Sequence, residues 1–227
     1  MIACLVLLTA LAGCATSRGG SRPAAGPKPA SSTKPTPSPV APCAAFGCQP
    51  GAAQQLTGGY SVRLWLSQPP SAGSSIDAQR STPVLELSRD GQHVSWWVGR
   101  LGFGWAATLR CLATASEPNC VVLAEVGAHA GSAEVVLLHA GALVAPARAS
   151  VVFDSGMPSA TDFDHDGLLD VLGVENDYQP DYAQGHNYFT TYRLSGDALH
   201  QTGCEPFIGT TPPDKLLTGP CPKVAQG

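Results

Sequence analysis

Val84-Leu-Glu-Leu87-Ser-Arg89-Asp90-Gly91-Gln92-His93-Val-Ser-Trp-Trp-Val98 reads as two strands joined by an Asp-Gly turn. Val84–Leu87 and His93–Val98 are rich in aliphatic, β-branched and aromatic side chains, which fit a pleated, half-buried surface. Asp-Gly supplies two residues that tolerate positive φ, as the tight hairpin turn matching strand twist requires. Working outward, Tyr60–Leu66 sets Val62, Leu64 and Leu66 on one face. Short apolar runs recur at 105–111, 120–126, 134–138, 149–153, 169–174 and 188–194, separated by turn residues at the spacing of all-β folds. No stretch carries a long 3.6-residue apolar period with caps. The prediction is a mainly β fold with low helix content: a disulfide-stapled sandwich, a barrel or a propeller-like array of short antiparallel strands. Trp65, Trp96, Trp97 and Trp105 are expected as core and sheet-face residues rather than as a ligand platform.

Before the strands begin, the composition changes twice. Residues 1–13 form an apolar leader too short to span a bilayer. Residues 15–42 hold seven prolines among Ser, Thr, Ala and Gly, with Arg18, Arg22, Lys28 and Lys34 and no acid. Such a stretch cannot bury enough apolar surface to offset chain ordering and is read as an extended tether. It takes four of the thirteen basic residues and none of the seventeen acids, so 43–227, read as a single β-rich domain, carries −8. That balance argues against nucleic acid as a partner.

The leader ends in Leu11-Ala12-Gly13-Cys14, which resembles the lipobox of bacterial lipoproteins. The resemblance implies cleavage before Cys14, a diacylglycerol on its thiol, and anchoring of an extracytoplasmic domain at the bacterial cell envelope. A secretory signal without lipid is the alternative. Met1–Cys4 lacks the positive charge of a signal peptide's start, which predicts initiation upstream of Met1. With Cys4 removed and Cys14 lipidated, Cys43, Cys48, Cys111, Cys120, Cys204 and Cys221 remain. An even number in an exported chain implies disulfides. Fifteen pairings are open, and the grouping into three close pairs makes 43–48, 111–120 and 204–221 the economical choice.

One local motif points to an ion. Asp162-Phe-Asp164-His-Asp166-Gly167-Leu-Leu-Asp170 sets carboxylates at positions one, three, five and nine, with glycine at six for a sharp turn. Chance would produce this pattern in a chain of this length on the order of 1 time in 10,000. Oxygen-rich acidic loops of this kind wrap Ca²⁺. Eight acids lie between Asp154 and Asp181, and no Lys or Arg occurs between Arg148 and Arg193, so a divalent cation is the expected counter-charge. A solvated Asp-rich turn without metal is the plain alternative. An EF-hand is disfavoured, because position twelve is Gly173 rather than a bidentate Glu.

Residues 159–174, with Val171-Leu-Gly-Val174 following the loop, resemble the calcium loop of FG-GAP and VCBS repeats, as in integrin α-subunit propellers. The resemblance implies Asp162, Asp164, Asp166 and Asp170 as side-chain ligands, the Leu168 carbonyl as a further oxygen, and a structural rather than catalytic ion. A degenerate second copy 36 residues earlier is suggested by His129-Ala-Gly131-Ser-Ala-Glu134-Val135, which lacks the Asp ligands.

No zinc pair, nucleophile elbow, phosphate loop or dinucleotide fingerprint occurs, and no catalytic residue is assigned. Tyr178, Asp181, Tyr182, His186 and Asn187 form a candidate recognition rim for an envelope protein or a glycan; a plain surface loop is the simpler reading. The expectation is a non-enzymatic binding or scaffold lipoprotein. An extracytoplasmic glycan or peptide hydrolase with structural calcium, drawing its acid and base from Glu175, Asp177 and Asp181, is the alternative.

Overall fold

Asp90 and Gly91 adopt φ values of 50° and 78°, the two-residue turn expected between β3 (Pro83–Arg89) and β4 (Gln92–Val98). The structure is a computed structural model that describes residue 43 and residues 47–67, 81–102, 106–113, 118–126, 129–209 and 211–222. The leader, Cys14, the tether and Trp105 lie outside these residues. β3 and β4 complete an antiparallel meander with β1 (Gln49–Gln55) and β2 (Tyr60–Leu66), in the order β1-β2-β3-β4.

Two more sheets follow. The second runs β5 (Ala106–Leu112), β6 (Asn119–Glu125), β7 (Gly131–His139) and β8 (Ala142–Val144), with β9 (Ser150–Phe153) also paired to β7. The third runs β10 (Ser155–Thr161), β11 (Asp170–Asn176), β12 (Asn187–Ser195) and β13 (Ala198–Pro206). Every strand pair is antiparallel. The fold is mainly β with very little helix, and the sheets do not close into a propeller. The three expected disulfides form, Cys43–Cys48, Cys111–Cys120 and Cys204–Cys221. Cys111 and Cys120 are direct cross-strand partners of β5 and β6.

The middle sheet is apolar on both faces, and this fixes how the layers meet. Leu109, Cys111, Cys120, Val122 and Val136 pack against Val62, Leu64, Leu85, Leu87 and Trp97 of the first sheet. Alternate residues Val121, Leu123, Ala133 and Val135 face Ala160, Leu169, Val171 and Leu194 of the third, with Phe153 between. A strand sandwiched this way reads as a continuous apolar run, as Cys120–Ala124 does. Each fully buried aliphatic side chain stabilises the fold by about 1.5–3 kcal/mol. Trp97 joins the core, whereas Trp65 and Trp96 are half-buried.

The outer face of the third sheet is covered by its own C-terminal segment. Leu217 packs on Leu172 and Phe189. Its amide donates to Thr191 Oγ1 at 3.0 Å, and the Cys204–Cys221 bridge ties the segment down.

The suggested internal repeat takes a different form from the one read in the sequence. The segment around 126–130 joins the second and third strands of its sheet, whereas the Asp-rich loop joins the first and second strands of its own. The two loops are not equivalent positions, and the recurring unit is the four-stranded meander.

Candidate metal centre

The Asp-rich loop spans residues 162–169, between β10 and β11. His165 and Gly167 take positive φ, 60° and 89°, and these two left-handed residues reverse the chain so that its carboxylates converge. One oxygen from each of Asp162, Asp164 and Asp166 lies within 4.8 Å of the others. The loop's own amides brace them. Asp162 accepts from the Asp166 amide at 3.1 Å and the Gly167 amide at 3.2 Å. Asp164 accepts from the Asp166 amide at 3.3 Å, and Asp166 from the Leu168 amide at 2.8 Å.

Asp170 opens β11 and is fully buried. Its Oδ2 accepts from the Phe163 amide at 3.0 Å, while its Oδ1 has no hydrogen-bond partner. Burial, reinforced by the charges of Asp164 and Asp166, pushes the Asp170 carboxyl up to about 6 against the opposing pull of the Phe163 amide and Arg193. A buried carboxylate oxygen without a donor is costly. Asp162, Asp164 and Asp166 converge as a hard, oxygen-seeking ion requires, whereas Asp170, the fourth expected carboxylate ligand, stands outside that group with its Oδ1 unmet. The Leu168 residue follows the convergent group, and its amide is spent on Asp166.

Two residues that local sequence reading passed over complete the centre. Asn119, buried at the start of β6, reaches across from the middle sheet. Its Nδ2 donates to the Gly167 carbonyl at 2.9 Å and its Oδ1 accepts the Leu169 amide at 2.9 Å. The loop is thus clamped from both sheets. Arg193, on β12, lies one residue beyond the Val171–Tyr192 pair and turns its guanidinium onto the acids. Nη2 contacts Asp164 Oδ2 and sits 2.6 Å from Asp166 Oδ2, which Nε also approaches at 3.2 Å. Burial acts to raise the Asp166 carboxyl, but the Arg193 hydrogen bond, the Leu168 amide and the Arg193 charge together hold it below its ordinary value. The expectation that this acidic stretch lacks a basic partner is therefore corrected: the partner comes from a neighbouring strand. The one signal in the sequence was Arg193 itself, the first base after the acid run.

The candidate rim divides into two places. Tyr178 and Tyr182 turn toward Asp154: Tyr178 Oη donates to Asp154 Oδ1 at 2.7 Å and Tyr182 Oη to its backbone carbonyl at 3.2 Å. His186 and Asn187 instead line a pocket of about 150 Å³ with Tyr188, Glu205 and prolines 206, 220 and 222. Asp181 accepts from the Gln184 amide at 3.0 Å and organises the turn locally. Buried Asn176 holds the loop's two ends, donating to the Tyr182 carbonyl at 3.3 Å and to Asn187 Oδ1 at 3.0 Å.

Glu175 and Asp177, two of the three acids of the hydrolase reading, serve separate networks. Glu175 accepts from Tyr192 Oη at 2.7 Å and Tyr188 Oη at 3.2 Å. Burial raises its carboxyl above the ordinary range despite these two donors. Asp177 accepts from the His186 amide at 2.8 Å and the Gln179 amide at 3.1 Å, and lies 3.3 Å from the His186 ring. The His186 amide, more than any other contact, holds its carboxyl low. Asp177 thus organises the 177–186 loop, while Glu175 ties β11 to β12. Comparison with protein families, curated proteins and solved structures finds no match to the chain.

Proposed function

We propose that this chain is a bacterial envelope lipoprotein: lipid-anchored through Cys14, raised on the 15–42 tether, and carrying a calcium-stabilised β domain that acts as a non-enzymatic binding or scaffold surface. The observation that carries the calcium reading is the convergence of Asp162, Asp164 and Asp166; the unpartnered, buried Oδ1 of Asp170 at the end of the same loop supports it. Three disulfides in one small domain suit an oxidising, extracytoplasmic compartment. The lipobox-like Leu11–Cys14 supplies the anchor in this reading. The ion's role is structural: it joins the β10–β11 connection, held by Asn119 of the middle sheet, and so strengthens the contact between two layers.

The test is thermal unfolding of the oxidised protein in EDTA, in Ca²⁺ and in Mg²⁺. At one hundred times Kd, calcium stabilises by about 2.7 kcal/mol, which for a domain of this size raises Tm by about 5–10 °C. Mg²⁺, which demands tighter octahedral geometry and dehydrates reluctantly, is expected to do much less. Equal Tm values in all three conditions would reject the calcium site. Retention of a Cys14→Ser variant in the membrane fraction would reject the anchor.

A further inference from the structure

Arg193 is half-buried on β12, yet its guanidinium reaches the two most exposed ligand candidates of the loop. We infer that Arg193 is the resident counter-cation of the Asp-rich loop and sets its divalent-ion affinity, calcium entering as the guanidinium leaves Asp164 and Asp166. This rests on the calcium reading above and adds a residue to it that the D-x-D-x-D-G-x-x-D motif does not contain.

Asp164 Oδ2 and Asp166 Oδ2 both face Arg193, and Asp166 Oδ2 receives two of its N–H groups. The opposite oxygens, Asp164 Oδ1 and Asp166 Oδ1, are held by the backbone amides of Asp166 and Leu168. The Oδ2 atoms of Asp164 and Asp166 are the ones that no backbone amide engages, so a cation drawing on them competes with the guanidinium for the same oxygens. Arginine suits the task because its planar fork satisfies two carboxylates at once and stays charged at every physiological pH. The interaction is reciprocal, since whatever holds Arg193 on the acids weakens calcium, and calcium to the same degree expels Arg193. Asp170 takes part only through its charge: Arg193 acts on it at a distance, and its unpartnered Oδ1 is not among the oxygens that Arg193 contacts. The loop is therefore partly neutralised without metal. The competition is expected to tune the site toward the weaker affinities that still fill outside the cytoplasm.

The test is calorimetric titration of CaCl₂ into the purified protein and into Arg193→Gln, with ¹⁵N-detected arginine side-chain NMR of the unsubstituted protein as the second measurement. Arg193→Gln should bind calcium about tenfold or more tightly, the scale on which charge-assisted hydrogen bonds act, while its Tm in EDTA falls. In the unsubstituted protein the Arg193 Nε–H resonance should move to a solvent-exposed position as calcium saturates. Calcium binding by both proteins with equal affinity, or weaker binding by Arg193→Gln, overturns the inference and leaves the calcium reading intact. So does an Nε–H resonance that stays fixed through saturation, which decides the matter even if the variant does not fold. Binding by neither protein overturns both readings, whereas binding by Arg193→Gln alone supports the inference in its strongest form.

Discussion

Strand β11 carries a carboxylate toward each end, Asp170 fully buried and Glu175 half-buried, and the two are finished in opposite ways. Glu175 meets two tyrosine hydroxyls, one on each oxygen. Asp170 meets one backbone amide, and its second oxygen meets nothing. Burial disfavours the charged form of both, so the contrast isolates how the fold compensates. At one end the chain supplies its own donors; at the other one oxygen has none. A complete polar network is a structural device, whereas the incomplete one at Asp170 is the end that the proposed calcium reading draws on.

Gly173 lies between these two ends and gives the harshest test of their independence. A Cβ there would lie 2.1 Å from Phe153 Cδ1, and Phe153 is fully buried in the core between the second and third sheets. The Phe153 ring packs edge-on against Tyr192, the donor to Glu175. Gly173→Ala should therefore cost about 3 kcal/mol, the upper end of ordinary overpacking, lowering Tm by about 6–12 °C in EDTA and calcium alike. A loss seen only in calcium would mean that the strand's ends are coupled through the metal rather than through the core.

Asp170→Asn should give the next largest effect, and only in calcium. The variant removes a buried charge that has no donor on Oδ1 and that Asp164 and Asp166 oppose, so Tm in EDTA should not fall. In saturating calcium it should forfeit most of the stabilisation of about 2.7 kcal/mol expected at one hundred times Kd. A large loss in EDTA would show that Asp170 is a structural partner like Glu175, and the contrast would collapse.

Tyr192→Phe probes the self-sufficient end. It deletes the 2.7 Å donor to Glu175 Oε1 while keeping the ring that packs on Phe153. The expected cost is about 1.5 kcal/mol, that of a hydrogen bond to a charged group. Calcium titration should be unaltered, and a shifted calcium midpoint would show that the two ends communicate.

How much of this could be read from the chain alone divides along similar lines. The central strands were legible because burial on one or both faces forces apolar side chains into them: Tyr60–Leu66, Cys120–Val126 and Tyr188–Leu194 all announce themselves. The strands passed over are β1, β8, β10 and β13. Gln-Pro-Gly-Ala-Ala-Gln-Gln of β1 and Ser-Gly-Met-Pro-Ser-Ala-Thr of β10 lie at sheet edges, where backbone pairing on one side suffices and Gly, Pro and polar residues are tolerated. The candidate metal centre was legible as an acidic cluster, since one short turn brings Asp162, Asp164 and Asp166 together. Its supports were not: Asn119 arrives from another sheet and Arg193 from a strand that only the register of β12 places beside Asp170. Charge counting along the chain missed Arg193 because neutralisation acts across space rather than along sequence.

The finest test concerns pH at the finished end of β11. Folding raises the Glu175 carboxyl above its ordinary value near 4.5, burial outweighing the two tyrosine hydroxyls. A carboxyl raised on folding binds protons more readily in the native state, so its contribution to stability is full below the unfolded value and is lost as pH rises through the folded one. Glu175→Gln removes that titration while leaving a carbonyl oxygen to accept from a tyrosine. Measured in EDTA from pH 4 to 7, the variant should lose less stability than the parent above about pH 4.5, and the curves should run parallel once pH passes the raised value. Other buried acids such as Glu134, also raised by burial, contribute equally to both proteins and cancel in the difference. Parallel curves throughout would mean that the tyrosines fully offset burial and Glu175 titrates as it does in the unfolded chain. The finished end would then carry no electrostatic cost, and the contrast with Asp170 would be sharper still.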